Sequence, residues 1–126
     1  MTLIARFKVD GFESRQISGL DADWVGVMTF AKTFTSGIIG TATTVFMSAG
    51  TEEGSRSYVA TERITGRTED GREGSVTVQH GGLESDQGTW FGHIVPKTGT
   101  GDFAGWSGSA RIIHDDQGPY FEITLA

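Results

Sequence analysis

The chain contains no cysteine, which removes disulfides, thiol nucleophiles and thiolate metal sites together. Proline is scarce, at two residues in 126, while glycine stands at 19. That balance suits many turns and bulges better than a disordered linker. Positive charge is also short: ten Lys and Arg against sixteen Asp and Glu leave a formal net charge of −6. With no Lys/Arg cluster along the chain, a nucleic-acid backbone is repelled on average. No stretch reaches the ~20 apolar residues of a membrane-spanning helix, and the start, MTLIARFKVDG, has too short an apolar run for a secretory leader. The expected location is the cytoplasm, with neither nucleic acid nor membrane as a partner.

What is present is alternation. Helical periodicity is weak everywhere, whereas period-two runs rich in Thr, Val, Ile and aromatics recur between Gly/Asp clusters. The strand candidates are TLIARFKV, GVMTFAKTF, IGTATTVFMSA, SYVATERITGRT, EGSVTVQHGGL, TWFGHIVP, SARIIHD and YFEITLA. About eight strands joined by short loops predict an all-β fold, a closed antiparallel barrel just wide enough for side chains or one small ligand. Closure also removes exposed edges. The length fits one domain over residues 1–126.

One hairpin yields a register. In RTEDGRE, Gly71 at the third loop position favours a type I turn followed by a left-handed residue and a bulge, which places Thr68 opposite Arg72. Counting back puts Ile64 opposite Val76, Glu62 opposite Val78 and Ala60 opposite His80. These residues and Tyr58 share one face; Thr61, Arg63, Thr65, Arg67, Ser75, Thr77 and Gln79 share the other. The apolar face is the interior, and it contains a carboxylate and an imidazole. Taking Gly88 as a second left-handed residue, with Ser85 facing Thr89, sets Trp90, Gly92 and Ile94 on the side of His80. Phe91, His93 and Val95 then point outward, where Phe91 and Val95 offer a contact for self-association.

Glu62 and His80 are diagonal neighbours on adjacent predicted strands, roughly 5–8 Å apart at Cβ. A carboxylate and an imidazole in an apolar interior form an acid–base pair usable near neutral pH, or a structural pair that satisfies itself. The expected cavity wall is Tyr58, Ile64, Val76, Val78, Trp90 and Ile94. No metal site is expected: His80, His93 and His114 do not converge on one face, and the His114–Asp116 run lies at a predicted hairpin turn. Nucleophilic catalysis finds no strand–elbow–helix motif. The glycine-rich PKTGTGDFAGWSGSA lacks both the spacing and the Lys-Ser/Thr of a phosphate loop and is followed by a strand. It reads as a turn-and-bulge connection whose Phe103 and Trp106 cover one end of the barrel.

The segment VPKTGTGDFAGWSGSA resembles the G-T-G-x-hydrophobic-x-G run of a bacterial domain-of-unknown-function family, the one numbered 3224. YVATERITGRTEDGREGSVTVQHGG is similar to that family's glutamate-bearing strand, D-G-R turn and strand ending in Gln-His. Together these cover the middle third to half of the chain. The resemblance implies a small barrel like those of allene oxide cyclase and the dirigent proteins, which hold apolar substrates in shaped cavities without an organic cofactor. Lys97 stands where the family often has glycine or another small residue, and Trp106 replaces a smaller aliphatic, which implies a narrower cavity mouth. The N-terminal third, through Phe34, matches poorly.

Three functions follow as expectations. The first is a cofactor-independent cyclase or isomerase acting on an apolar small molecule, with Glu62 and His80 as catalytic residues. The second is a carrier that sequesters such a molecule unchanged. The third is a filled-barrel oligomeric scaffold, its interior packed by residues such as Met28, Phe30, Phe46 and Met47.

Overall fold

The computed structural model describes residues 1–20, 23–50, 52 and 54–126. Every regular element among them is a strand: β1 (Thr2–Arg15), β2 (Gly26–Ser36), β3 (Ile38–Ala49), β4 (Ser57–Thr68), β5 (Glu73–Leu83), β6 (Asp86–Ile94), β7 (Thr100–Gly101), β8 (Gly108–Asp115) and β9 (Gly118–Leu125). The order β4-β3-β2-β1-β9-β8-β6-β5 returns on itself through a β4–β5 pairing, so eight antiparallel strands form a closed barrel. The two-residue β7 adds to the start of β5. No helix of the described residues is long and apolar enough to cross a membrane.

Alternation sorts the side chains. On β4, Ala60, Glu62, Ile64 and Thr68 are buried while Val59, Thr61, Arg63, Thr65 and Arg67 are exposed. The β4–β5 register pairs Ile64 with Val76, Glu62 with Val78 and Ala60 with His80, as the TEDGR turn predicts. Gly71 makes that turn with φ of +90°, a conformation that penalises any Cβ. Its N–H donates to the Thr68 carbonyl at 3.0 Å, and the Thr68 N–H donates to the Arg72 carbonyl at 2.8 Å.

The next hairpin differs from expectation. Leu83 pairs with Asp86 across a tight Glu84–Ser85 turn, and Gly88 is not left-handed. The irregularity sits at Gly82 instead, where φ is +153° and the ladder slips between Gly81 and Leu83. Thr89 compensates, its hydroxyl accepting the Leu83 N–H at 2.8 Å. His80 therefore faces Gly92, whereas a Ser85–Thr89 pair would put Ile94 there. The two-residue displacement is even, so Trp90, Gly92 and Ile94 keep the interior face.

Packing is uneven along the barrel axis. One end holds a continuous core that includes Ala5, Phe34, Ile38, Ala42, Ile64, Val76, Val78, Ile94, Ala110 and Ile123. PKTGTGDFAGWSGSA seals that end: Phe103 and Trp106 are buried and stack with ring centroids 3.9 Å apart. Its polar groups continue the β5 ladder, with Asp102, Thr100 and Thr98 side chains accepting the N–H groups of Glu73, Ser75 and Thr77. A sheet-capping turn thus explains the glycine-rich stretch. Met47, one of the expected fillers, lies outside at 41% exposure, because it has the opposite parity to Phe46.

Candidate functional site

Above the filled end, a layer of polar side chains crosses the interior. Glu62 has no exposed surface, Lys32 retains 4% and His80 2%. Both partners converge on one carboxylate oxygen: Lys32 Nζ lies 2.7 Å and His80 Nε2 3.0 Å from Glu62 Oε1. Tyr58 Oη is 2.9 Å from His80 Nδ1. An ionised Glu62 accepts from Nε2–H, leaving Nδ1 to accept the Tyr58 hydroxyl proton, so the geometry reads as Tyr58 to His80 to Glu62. Small neighbours make room for the imidazole. His80 is flanked in the sheet by Ala60 and Gly92, and a Cβ on Gly92 would come within 1.7 Å of the Ala110 carbonyl oxygen on β8.

The charges set one another's ionisation. Burial pushes the Glu62 carboxyl up, but the His80 hydrogen bond and the Lys32 charge outweigh it and hold the group below its ordinary value. For Lys32, burial is the largest influence and lowers the ammonium below the ordinary lysine value, against the pull of Glu62. The Tyr58 hydroxyl is pushed up to about 12 by burial and by the Glu62 charge, so it remains a proton donor at neutral pH. Aromatic faces complete the cation's surroundings, with Lys32 Nζ 4.3 Å from the Phe7 ring centroid and 5.4 Å from that of Phe121. Two buried atoms have no hydrogen-bond partner among the described residues, Glu62 Oε2 and Thr44 Oγ1. Their residues are directly paired across β3 and β4.

This layer floors a cavity of about 210 Å³ at the unsealed end. Lys32, Thr44 and His80 face it from below; Phe7, Phe30, Phe46, Tyr58, Trp90 and Ile112 supply most of its walls, with Val9, His114 and Pro119 completing the lining. Phe46 and Tyr58 stack at 5.0 Å. Trp90 is fixed by its indole N–H, which donates to the Leu83 carbonyl at 2.5 Å, and its ring meets His114 edge-on at 5.4 Å. A larger groove, about 690 Å³, runs along the β1–β2 connection between Ser14 and Met28. Among the described residues its walls carry no buried titratable group, whereas Lys32 and His80 in the smaller cavity are both buried.

The sequence-predicted residues divide between the two ends. Glu62, His80 and Tyr58 come together, and Tyr58, His80 and Trp90 face the cavity. Ile64, Val76, Val78, Ile94, Phe103 and Trp106 lie in the packed core and do not line it. Lys97 and Trp106 sit on the sealing loop, at the far end of β5 from His80, so they do not shape the cavity mouth. Lys97 does adopt a left-handed backbone, φ +67°, which glycine tolerates better. His114 belongs to the end of β8, paired with Pro119, and the turn comes after it. Phe91 is exposed and Val95 half-buried.

Lys32 and Thr44 are the residues that sequence reasoning missed. The signal for Lys32 was parity: in the F-x-K-x-F alternation of MTFAKTF, Phe30, Lys32 and Phe34 share one face, and two aromatics bracket a cation. Among the described residues, no group of three His, Asp or Glu side chains is placed to hold a metal.

The model of the family of proteins of unknown function DUF3224 matches residues 3–126. A crystal structure of a protein of unknown function from that family in Shewanella oneidensis MR-1 is similar over the whole fold. Its TM-score is 0.81 at 25% sequence identity, covering 100% of this chain and 96% of that one. No curated protein matches the chain. From the glycine-sealed end to the polar layer, then, this barrel and its sequence belong to the DUF3224 family.

Proposed function

We propose that the protein binds a small apolar molecule in the cavity above Lys32, Thr44 and His80, and that Tyr58, His80 and Glu62 move a proton on it in a cofactor-independent isomerisation or cyclisation. The observation that carries this reading is the buried Lys32–Glu62–His80 array beneath an aromatic-walled cavity. Apolar residues of similar volume would fill a barrel at least as stably, because desolvating two charges costs several kcal/mol per ion. A charged floor under an apolar space is what differential stabilisation of a reacting group requires. His80 is the group in contact with the ligand; Glu62 acts through it, since it does not itself line the cavity.

That same indirect placement favours a second reading, a carrier in which the array fixes the floor and only shape selects the ligand. Native mass spectrometry of the purified protein, followed by mild denaturation, identifies any apolar molecule retained. Turnover of that molecule, lost in Tyr58→Phe while binding persists, is the expected result for the enzyme. Binding with no turnover in the wild type selects the carrier, and bare protein with no thermal shift across an apolar panel removes both. Self-association is part of the proposal. The outward row Val27, Met47, Val59, Gly81 and Phe91 is continuous across five strands, and sedimentation of Phe91→Ser against wild type tests it.

A further inference from the structure

The lysine at the cavity floor is an unusual choice if its task is only to neutralise Glu62. A guanidinium offers a planar fork that satisfies both oxygens of a carboxylate, and it keeps its proton in any environment. Lys32 instead reaches Oε1 alone, the oxygen that His80 also uses, and leaves Oε2 without a partner among the described residues. What lysine adds is a nucleophile once it has shed a proton. Lys32 meets the requirements for that role: it faces the cavity, a carboxylate lies at 2.7 Å to take the proton, and its surroundings are aromatic. The other two lysines, Lys8 and Lys97, are exposed.

We propose that Lys32 forms an imine with an apolar aldehyde or ketone held in the cavity. Thr44 Oγ1, on the cavity floor and without a partner among the described residues, is the hydroxyl that meets the carbonyl oxygen. In the reaction, the Lys32 ammonium gives one proton to Glu62, and the neutral amine attacks the carbonyl carbon. A second nitrogen proton passes to the former carbonyl oxygen. The proton stored on Glu62 then follows it, and that oxygen leaves as water. The remaining N–H belongs to a protonated imine, which takes the ammonium's place opposite an ionised Glu62, so charge and protons balance. Burial that lowers the ammonium below the ordinary lysine value favours loss of that proton, while the same array holds Glu62 low, so the proton rests on Glu62 only until the oxygen takes it.

This inference rests on the reading that the cavity admits an apolar molecule, and the test separates the two. The full chain is incubated at neutral pH with benzaldehyde and sodium cyanoborohydride, which reduces an imine to a stable benzylamine, and the modified lysines are found by peptide mapping. In parallel, benzyl alcohol, which has the same shape but no carbonyl, is used for thermal shift. The expected result is benzylation of Lys32 at least about tenfold faster than of Lys8 or Lys97, because the cavity holds the aldehyde against the Lys32 amine while the exposed lysines meet it only by diffusion. Lys32→Arg keeps the cation and abolishes that label; should it fail to fold, the wild-type map still decides. Stabilisation by benzyl alcohol with Lys32 unlabelled, or labelled no faster than the surface lysines, overturns the imine and leaves the cavity reading standing. Neither stabilisation nor a Lys32 label overturns both.

Discussion

The two ends of the barrel are built from the same alternation and reach opposite outcomes. At the sealed end, Phe103 and Trp106 fold in from the glycine-rich loop over Ile64, Val76, Ile94 and Ile123, and apolar contact is continuous. At the open end, Phe30, Phe46, Tyr58 and Trp90 stand around a space rather than in it. The difference lies in what each end has for a floor and a lid. A charged layer cannot be crossed by apolar side chains without stripping it of partners, and no loop of the described residues folds into the space above it. Continuous apolar packing occupies one half of the barrel, and the buried charged layer floors the cavity in the other.

Single substitutions on either side of the boundary have the largest expected effects. Phe103→Ala in the filled end is expected to cost about 3–5 kcal/mol, the range for a buried aromatic that leaves a void. Glu62→Gln is expected to cost a similar 3–5 kcal/mol for a different reason, since it strands the buried Lys32 charge. Urea unfolding measures both. The two are told apart by replacing the charged pair together: Lys32→Met with Glu62→Leu should restore wild-type stability or exceed it by about 1–4 kcal/mol, at the expense of ligand turnover. A double variant as unstable as Glu62→Gln alone would show that the array holds the barrel together.

Acidity sharpens the same point. The Glu62 carboxyl is held below its ordinary 4.5, so its contribution is complete above that value and is lost as pH falls through the folded-state value. Lys32, depressed from 10.5, binds protons less readily folded than unfolded, so its contribution grows as pH rises towards 10.5. Both slopes have the same sign: stability increases with pH in each window. Thermal melts should therefore be flatter in the Lys32→Met/Glu62→Leu double variant than in wild type on both sides of neutrality. Parallel curves would mean that the exposed Asp70 and Asp115, also held low by their hydrogen bonds, dominate the acid limb.

Smaller effects mark the edges. Tyr58→Phe removes one hydrogen bond to His80 and should cost about 0.5–1.5 kcal/mol. Lys97→Gly relieves the left-handed strain in the sealing loop and should leave stability unchanged or raise it by up to about 1 kcal/mol, with no effect on the cavity. A loss of ligand binding in that variant would connect two ends that the structure keeps apart.

How much of this was legible in the sequence depended on the local signal. Gly71 in TEDGR carried the whole β4–β5 register, because a left-handed glycine at a defined loop position leaves one way to pair the strands; Glu62 beside His80 followed directly. Across the next turn the positive φ expected of Gly88 falls on Gly82 instead. Gly88 resembled a loop residue, but the Gly81–Gly82 pair was where the ladder gave way. The facing of Trp90 survived because the displacement was even, whereas its partner did not. Lys32 escaped notice because a charged residue in a strand is ordinarily assigned to solvent; strict parity with Phe30 and Phe34 placed it inside. The position of the cavity was beyond reach, since Ile64, Val78 and Ile94 share the interior face with Tyr58 and Trp90. Only three-dimensional packing separates those that touch one another from those that leave a gap.

The most direct test of the divided barrel is an NMR titration of the isotopically labelled protein with benzyl alcohol, following side-chain methyl groups at both ends. Saturable shifts are expected at the methyls of Thr44 and Ile112, which face the cavity, with Ile64, Ile94 and Ile123 unmoved. Saturating shifts confined to the outward methyls of Val45 and Val59, or none anywhere, would contradict that division of the barrel.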